Sequence, residues 1–180
     1  CTGKHATLDF AREYQPLFEP LMGWNWCLTN PETKRVLKAY VAEIHEAFGN
    51  PPYVHLGCDE ATPPSCPECS KGSYADKVVA HIREMAASVE ARGARAIIWH
   101  DMFLKSYDMR YEYDYQNGSA EMAAKVTELP RSIVIAEWNY MKPYPDGDYP
   151  AHRHFHDLGF DVLTCPWECA EGIDAQGRFA

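Results

Sequence analysis

Short apolar runs that end in acids or tryptophans alternate along this chain with amphipathic helices, and that alternation constrains the fold more than any other feature. The segment from Asn30 to Gly49 opens with Asn30 as N-cap and Pro31 at the first helical position. Its Leu37, Tyr40, Val41, Ile44 and Phe48 recur at helical spacing. YVHLG follows as a buried strand, with His55 read as a core histidine. Ser73 caps a second helix whose Val78, Val79, Ile82, Met85, Ala86 and Val89 form one stripe, ending at Gly93. ARAIIWH is the next strand, SAEMAAKVTEL a short helix closed by Pro130, and SIVIAEW a third strand. A helix around His152 to Leu158 and the strand FDVLTCPW complete the series, with His152, His154 and His156 placed on a solvated face.

Such alternation predicts right-handed parallel βα units, in a barrel or a doubly wound sheet. No GxGxxG or Walker pattern follows any strand, which weakens the nucleotide-binding version. The unusual residues decide for a barrel. Asp59 and Glu60, Trp99 to Asp101, Glu137 to Trp138, and Trp167 to Glu168 all fall at or just past strand C-termini, the face where such barrels carry their sites. The expected fold class is α/β, a partial (β/α)8 TIM barrel, with residues 1–180 as a single partial catalytic domain. A complete barrel takes about 250 residues.

Composition narrows the partners. At 46% hydrophobic and 13% aromatic content, 180 residues bury a sizeable core. A formal charge of -9 and a pI near 5.3 offer no basic patch to release counterions, so nucleic acid is excluded as a partner. No run approaches the roughly 20 apolar residues of a membrane span, so no membrane is expected. The compartment is not fixed, with the cytoplasm slightly favoured.

Neighbouring residues leaving a strand point in different directions, so Asp59 and Glu60 can touch different parts of one ligand. They are poorly placed to face each other across a glycosidic bond, as the acid and nucleophile of an ordinary retaining glycosidase must. An adjacent pair suits a substrate-assisted route, in which one residue protonates the leaving oxygen and the other orients a nucleophile belonging to the substrate.

HLGCDEA resembles the H-x-G-G/A-D-E motif of the family 20 glycoside hydrolases, the β-N-acetylhexosaminidases, with Cys58 replacing the usual small residue. NPET before the motif, IIWHDMF and IVIAEWNY are similar, in order, to the helix opening and the ends of barrel strands five and six. The CxxC-bearing loop and the W-x-D-M-F string are most similar to the hexosaminidase D-like branch. The resemblance spans roughly residues 3 to 170 and labels the four strands four to seven, so strands one to three and eight would lie outside the chain. It implies hydrolysis of terminal β-linked N-acetylhexosaminides without a cofactor. Glu60 would be general acid and base, and Asp59 would bind the 2-acetamido nitrogen. A general acid must hold its proton near neutral pH, which an ionised Asp59 next door would favour.

Trp99, Trp138 and Trp167 would wall the sugar, and Asp101 would hydrogen-bond one of its hydroxyls. His5, in GKHATLD, stands where the family has a Gly-His segment after strand three, with Lys4 intervening. The family's Tyr-x-Asp element after strand seven is not visible in LTCPWECA. The tyrosines from 107 to 115 would cover the barrel mouth. An unclosed sheet exposes edges, so self-association of the segment is expected. Two alternatives stand beside this reading: a metal-dependent hydrolase using His55, Asp59, His100 and Asp101, and a non-catalytic carbohydrate-binding relic.

Seven cysteines form an odd set. Cys66 and Cys69, with Cys58 nearby, have the spacing of a zinc-binding pair, but a four-ligand site needs a partner that the sequence does not name. Free thiols stabilising the loop are the preferred reading, with no metal expected.

Overall fold

The computed structural model describes residues 12–20, 24–140, 144 and 147–179. The chain divides into two compact units, Cys1–Ala96 and Ile97–Ala180. Four strands form one sheet in chain order, β1-β2-β3-β4. Among the described residues, no helix is long and apolar enough to cross a membrane.

In the first unit, a 3-10 helix over Arg12–Leu17 leads into a short antiparallel pairing in which Phe18 bridges Trp26. The Glu19 N–H donates to the Asn25 carbonyl and the Cys27 N–H to the Leu17 carbonyl. Helix α1 (Pro31–Ala47) begins where the Asn30 side chain accepts the Glu32 N–H, with Pro31 setting the first turn. Its buried stripe is Thr33, Leu37, Val41 and His45. That is a strict i, i+4 row, rotated from the row expected, and it leaves Tyr40 38% and Phe48 78% exposed.

Strand β1 (Tyr53–His55) is short and half-exposed: only Val54 is buried, and Tyr53 and His55 face out. The expected buried strand with a core histidine is corrected here, because alternation puts residues 53 and 55 on the face opposite Val54. Helix α2 (Tyr74–Glu90) is capped by the Ser73 hydroxyl, which accepts the Asp76 N–H. It buries all six residues of the expected stripe. Lys34 and Lys38 of α1 both reach Glu84 of α2, at 2.8 and 2.6 Å, and fix the two helices side by side. The Arg95 N–H then donates to the Pro52 carbonyl as β2 (Arg95–Trp99) begins.

In the second unit, β2 pairs in parallel with β3 (Val134–Glu137), matching Ile98 to Ile135 and Trp99 to Ala136. Strand β3 pairs in parallel with β4 (Asp161–Thr164), matching Glu137 to Thr164. Parallel neighbours need crossovers. Helix α3 (Ala120–Ala124) lies on the first and α4 (Pro150–Asp157) on the second. Every residue of β3 is buried, as are Ile98, paired with Ile135 on β2, and Ile133 just before the strand. A last helix, α5 (Ala170–Phe179), follows β4 and has no counterpart among the helices expected from periodicity. On α4, His156 is exposed while His152 and His154 are half-buried, and the His154 ring lies 5.7 Å from Tyr111.

Between β2 and α3 the chain makes a long excursion closed by Gly118, whose N–H donates to the Leu104 carbonyl. A side chain at 118 would collide with the Met102 and Leu104 carbonyls, so the closure requires glycine.

Candidate active site

Strand β1 ends in an unusual turn. Gly57, Cys58 and Glu60 have φ of +73°, +74° and +47°. Each non-glycine residue held in that region costs on the order of 1–3 kcal/mol and persists only where its surroundings enforce it. Here they do. The His55 Nδ1 accepts the Gly57 N–H at 3.0 Å, and the Trp24 Nε1–H donates to the Glu60 carbonyl at 2.8 Å. The Asn25 amide grips Thr62 from both sides, donating to its carbonyl and accepting its N–H. His55 is thus a turn-forming group and not a core histidine. Asp59 is 9% exposed and Glu60 half-buried. Two adjacent acids therefore leave one enforced turn.

The second unit gathers the three tryptophans singled out from the sequence. Trp138 lies 5.8 Å from Trp99, and Tyr140 lies 5.4 Å from Trp138 and 4.9 Å from Trp167. Tyr115 stacks flat on Trp138, 4.4 Å away with 6° between the planes. Tyr115 is one of the tyrosines expected to cover the barrel mouth, whereas Tyr140 is a member that sequence reasoning did not single out, although its place two residues past Trp138 is a signal. Trp138 is 8% exposed and backs the cluster, whereas Trp167 is 59% exposed and shows its face to solvent. A concavity of about 610 Å³ opens beside Tyr115, lined also by Asp114 and Asn117.

Asp101 is fully enclosed, and its Oδ2 accepts the Asn117 side-chain N–H at 2.9 Å. With the Asn117 N–H on the Asp101 carbonyl, this fastens the excursion that carries Tyr115. His5 lies outside the described residues.

Beneath the tryptophans is a buried carboxyl pair. Asp114 accepts from Asn139 at 3.1 Å and from the Tyr144 hydroxyl at 2.8 Å. Glu137 packs against Asp114, and burial followed by the adjacent Asp114 carboxyl holds it well above the usual carboxylate range. His100 is fully buried and its Nδ1 accepts the Trp138 N–H at 3.3 Å. Donor atoms of His100, Asp114 and Glu137 lie within 4.8 Å of one another. The cluster that holds His100 therefore takes Asp114 and Glu137, and not Asp101.

The loop after the acidic turn carries another cluster. Cys27 Sγ lies 3.8 Å from both Cys66 Sγ and Cys69 Sγ, with the Glu19 carboxylate in the same group. Burial, then the neighbouring Glu19 carboxylate, push the Cys69 thiol up to about 12.

The model of glycosyl hydrolase family 20, catalytic domain, matches residues 9–169. The chain belongs to this family. Solved structures agree on the fold. A β-N-acetylhexosaminidase from Bacteroides fragilis matches with a TM-score of 0.52 at 24% identity, over 78% of this chain and 25% of its own. The family 20 exo-β-N-acetylglucosaminidase from Vibrio harveyi, in complex with N-acetylglucosamine, matches with a TM-score of 0.51 at 17% identity, over 83% of this chain and 21% of its own. Dispersin B matches with a TM-score of 0.54 at 18% identity, over 88% of this chain and 42% of its own. This chain thus spans between about a fifth and two fifths of the solved chains it resembles. No curated protein matches it. The family 20 fold accounts for the parallel sheet: its strands and helices are part of a (β/α)8 barrel domain.

Proposed function

We propose that this chain carries the acid–base machinery of a retaining hydrolase that removes terminal β-linked N-acetylhexosamine from glycans. The observation that supports it most is the Asp59–Glu60 pair on its enforced turn, in a chain of family 20. Glu60 protonates the departing glycosidic oxygen while the substrate's own acetamido oxygen attacks the anomeric carbon. Asp59 accepts the acetamido N–H, orients that oxygen and offsets the positive charge of the resulting oxazolinium ion. Water, deprotonated by Glu60, then opens the ion, and two inversions give net retention.

In the second unit, the exposed faces of Trp167 and Trp99 suit the apolar face of a pyranose, with Trp138 and Tyr115 stacked behind to hold the platform rigid. Asp101 acts through the loop it fastens.

The test is hydrolysis of an aryl β-N-acetylglucosaminide beside the matching aryl β-glucoside, on the full-length protein. Only the acetamido sugar should be cleaved, and Asp59→Asn should lower that rate by about 10²–10³-fold. Equal cleavage of both sugars would remove the acetamido group as nucleophile and overturn the reading.

A further inference from the structure

The pairing of residues 17–19 with 25–27 decides what meets the CxxC loop. Phe18 and Trp26 share one face of it, rings 4.7 Å apart, so alternation sends Glu19 and Cys27 to the other face as diagonal neighbours. Cys66 and Cys69 arrive at that face from the loop, within one tight turn in which the Cys69 N–H donates to Cys66 Sγ at 3.2 Å. The four ligand atoms lie within 4.8 Å of one another, with Glu19, Cys27 and Cys69 buried.

The spacing is informative. A disulfide needs sulfurs about 2.05 Å apart. The observed 3.8 Å separations of Cys27 from Cys66 and Cys69 are nearly double that. They equal the edge of a tetrahedron around zinc, since Zn–S bonds of about 2.3 Å place two thiolates about 3.8 Å apart. Glu19 supplies an independent observation. Its Oε2 is pinned by the Ser65 and Cys66 N–H groups at 2.7 and 2.6 Å, whereas its Oε1 is buried with no N–H or O–H donor and has the Cys66 and Cys69 thiols beside it. A buried carboxylate oxygen whose neighbours are thiols, with no N–H or O–H donor, is placed as a metal ligand would be.

We infer that Glu19, Cys27, Cys66 and Cys69 form a closed, tetrahedral structural site for a divalent ion of the zinc class. Three thiolates and a carboxylate fill four positions and leave none for water, so the site braces and does not catalyse. It ties Glu19 and Cys27 to the loop at 66–69. Between those ligands lie Trp24 and Asn25, the two residues that hold Glu60 and Thr62 in the acidic turn. The ion therefore stiffens the frame around Glu60. This inference does not depend on the proposed reaction.

The experiment is elemental analysis of full-length protein purified without chelator or histidine tag, followed by cobalt(II) titration of the metal-stripped protein. About one zinc per chain is expected, with thiolate-to-cobalt charge transfer and tetrahedral visible bands after the exchange. Cys66→Ser should abolish both signals, Glu19→Gln should weaken zinc binding at least about tenfold, and Cys165→Ser should leave both intact. Because a ligand variant can fail to fold, the wild-type cobalt spectrum stands as a separate readout. Metal-free protein that takes up no cobalt while its thiols react freely would overturn the inference, as would a disulfide joining any two of the three cysteines.

Discussion

At the end of β1 the chain leaves Asp59 and Glu60 on a turn of positive φ, with Glu60 half-exposed. At the end of β3 it encloses Glu137 completely and places Trp138 directly after it. Both strands run from apolar residues into an acid, so both give the same signal in sequence. The surroundings separate them. Gly57 and the strained residues after it carry the first pair out of the sheet and leave Glu60 within reach of solvent. Burial beside Asp114 holds Glu137 well above the usual carboxylate range, and its carbonyl joins the ladder by accepting the Cys165 N–H at 2.7 Å. A carboxyl past a strand end is thus within reach of solvent where the backbone turns away from the sheet, as at Glu60, and a packing element where the sheet encloses it, as at Glu137.

The largest effect should come from treating the two acids alike. Glu60→Gln should lower hydrolysis of the acetamido sugar by about 10²–10⁴-fold, the worth of a positioned general acid, while the fold persists. Glu137→Gln should leave the rate within about a factor of two, since the amide keeps the shape of the buried acid and removes the charge that burial disfavours. Steady-state rates of both variants check the contrast, and a Glu137 loss matching that of Glu60 would collapse it.

Next in size is the turn itself. Gly57→Val forces a β-branched residue to φ +73° and should cost about 1–3 kcal/mol, read as a lower denaturant midpoint. Wild-type stability in that variant would mean that the turn is not enforced.

The buried pair sets a pH dependence. Glu137 titrates above its unfolded value of 4.5, so its contribution is fully present below that pH and is lost as pH rises through the folded value. Wild-type stability should fall as pH rises above 4.5, and Glu137→Gln should flatten that slope. Denaturation at a series of pH values reads it, and identical slopes would contradict the assignment. The smallest effect is Tyr115→Ala, which removes the flat stack on Trp138 and should cost about 0.5–1.5 kcal/mol beyond its area.

Legibility in the sequence tracks the range of the interactions. Caps are local, so Asn30 and Ser73 start their helices where the chain says they do. The α2 stripe is legible because that helix is buried along its length, whereas α1 is covered along a narrower row that periodicity alone does not locate. The tryptophans gather because strand ends lie at one edge of a parallel sheet. Tyr115 joins them by way of a loop whose path depends on Gly118 and Asp101, and no short-range pattern encodes that path. The cysteines show the same limit. CxxC was visible at 66–69, but Cys27 and Glu19 stand 39 and 47 residues from Cys66, and only the pairing of 17–19 with 25–27 delivers them.

The central claim is that Glu60 delivers a proton to the leaving oxygen, and its most direct test is the rate of Glu60→Gln across leaving groups. Glycosides with acidic phenol leaving groups need little protonation, so the variant should lose little on them and progressively more as the leaving group becomes more basic. A loss of the same size for every leaving group would contradict proton donation by Glu60 and remove the acid from the proposed mechanism.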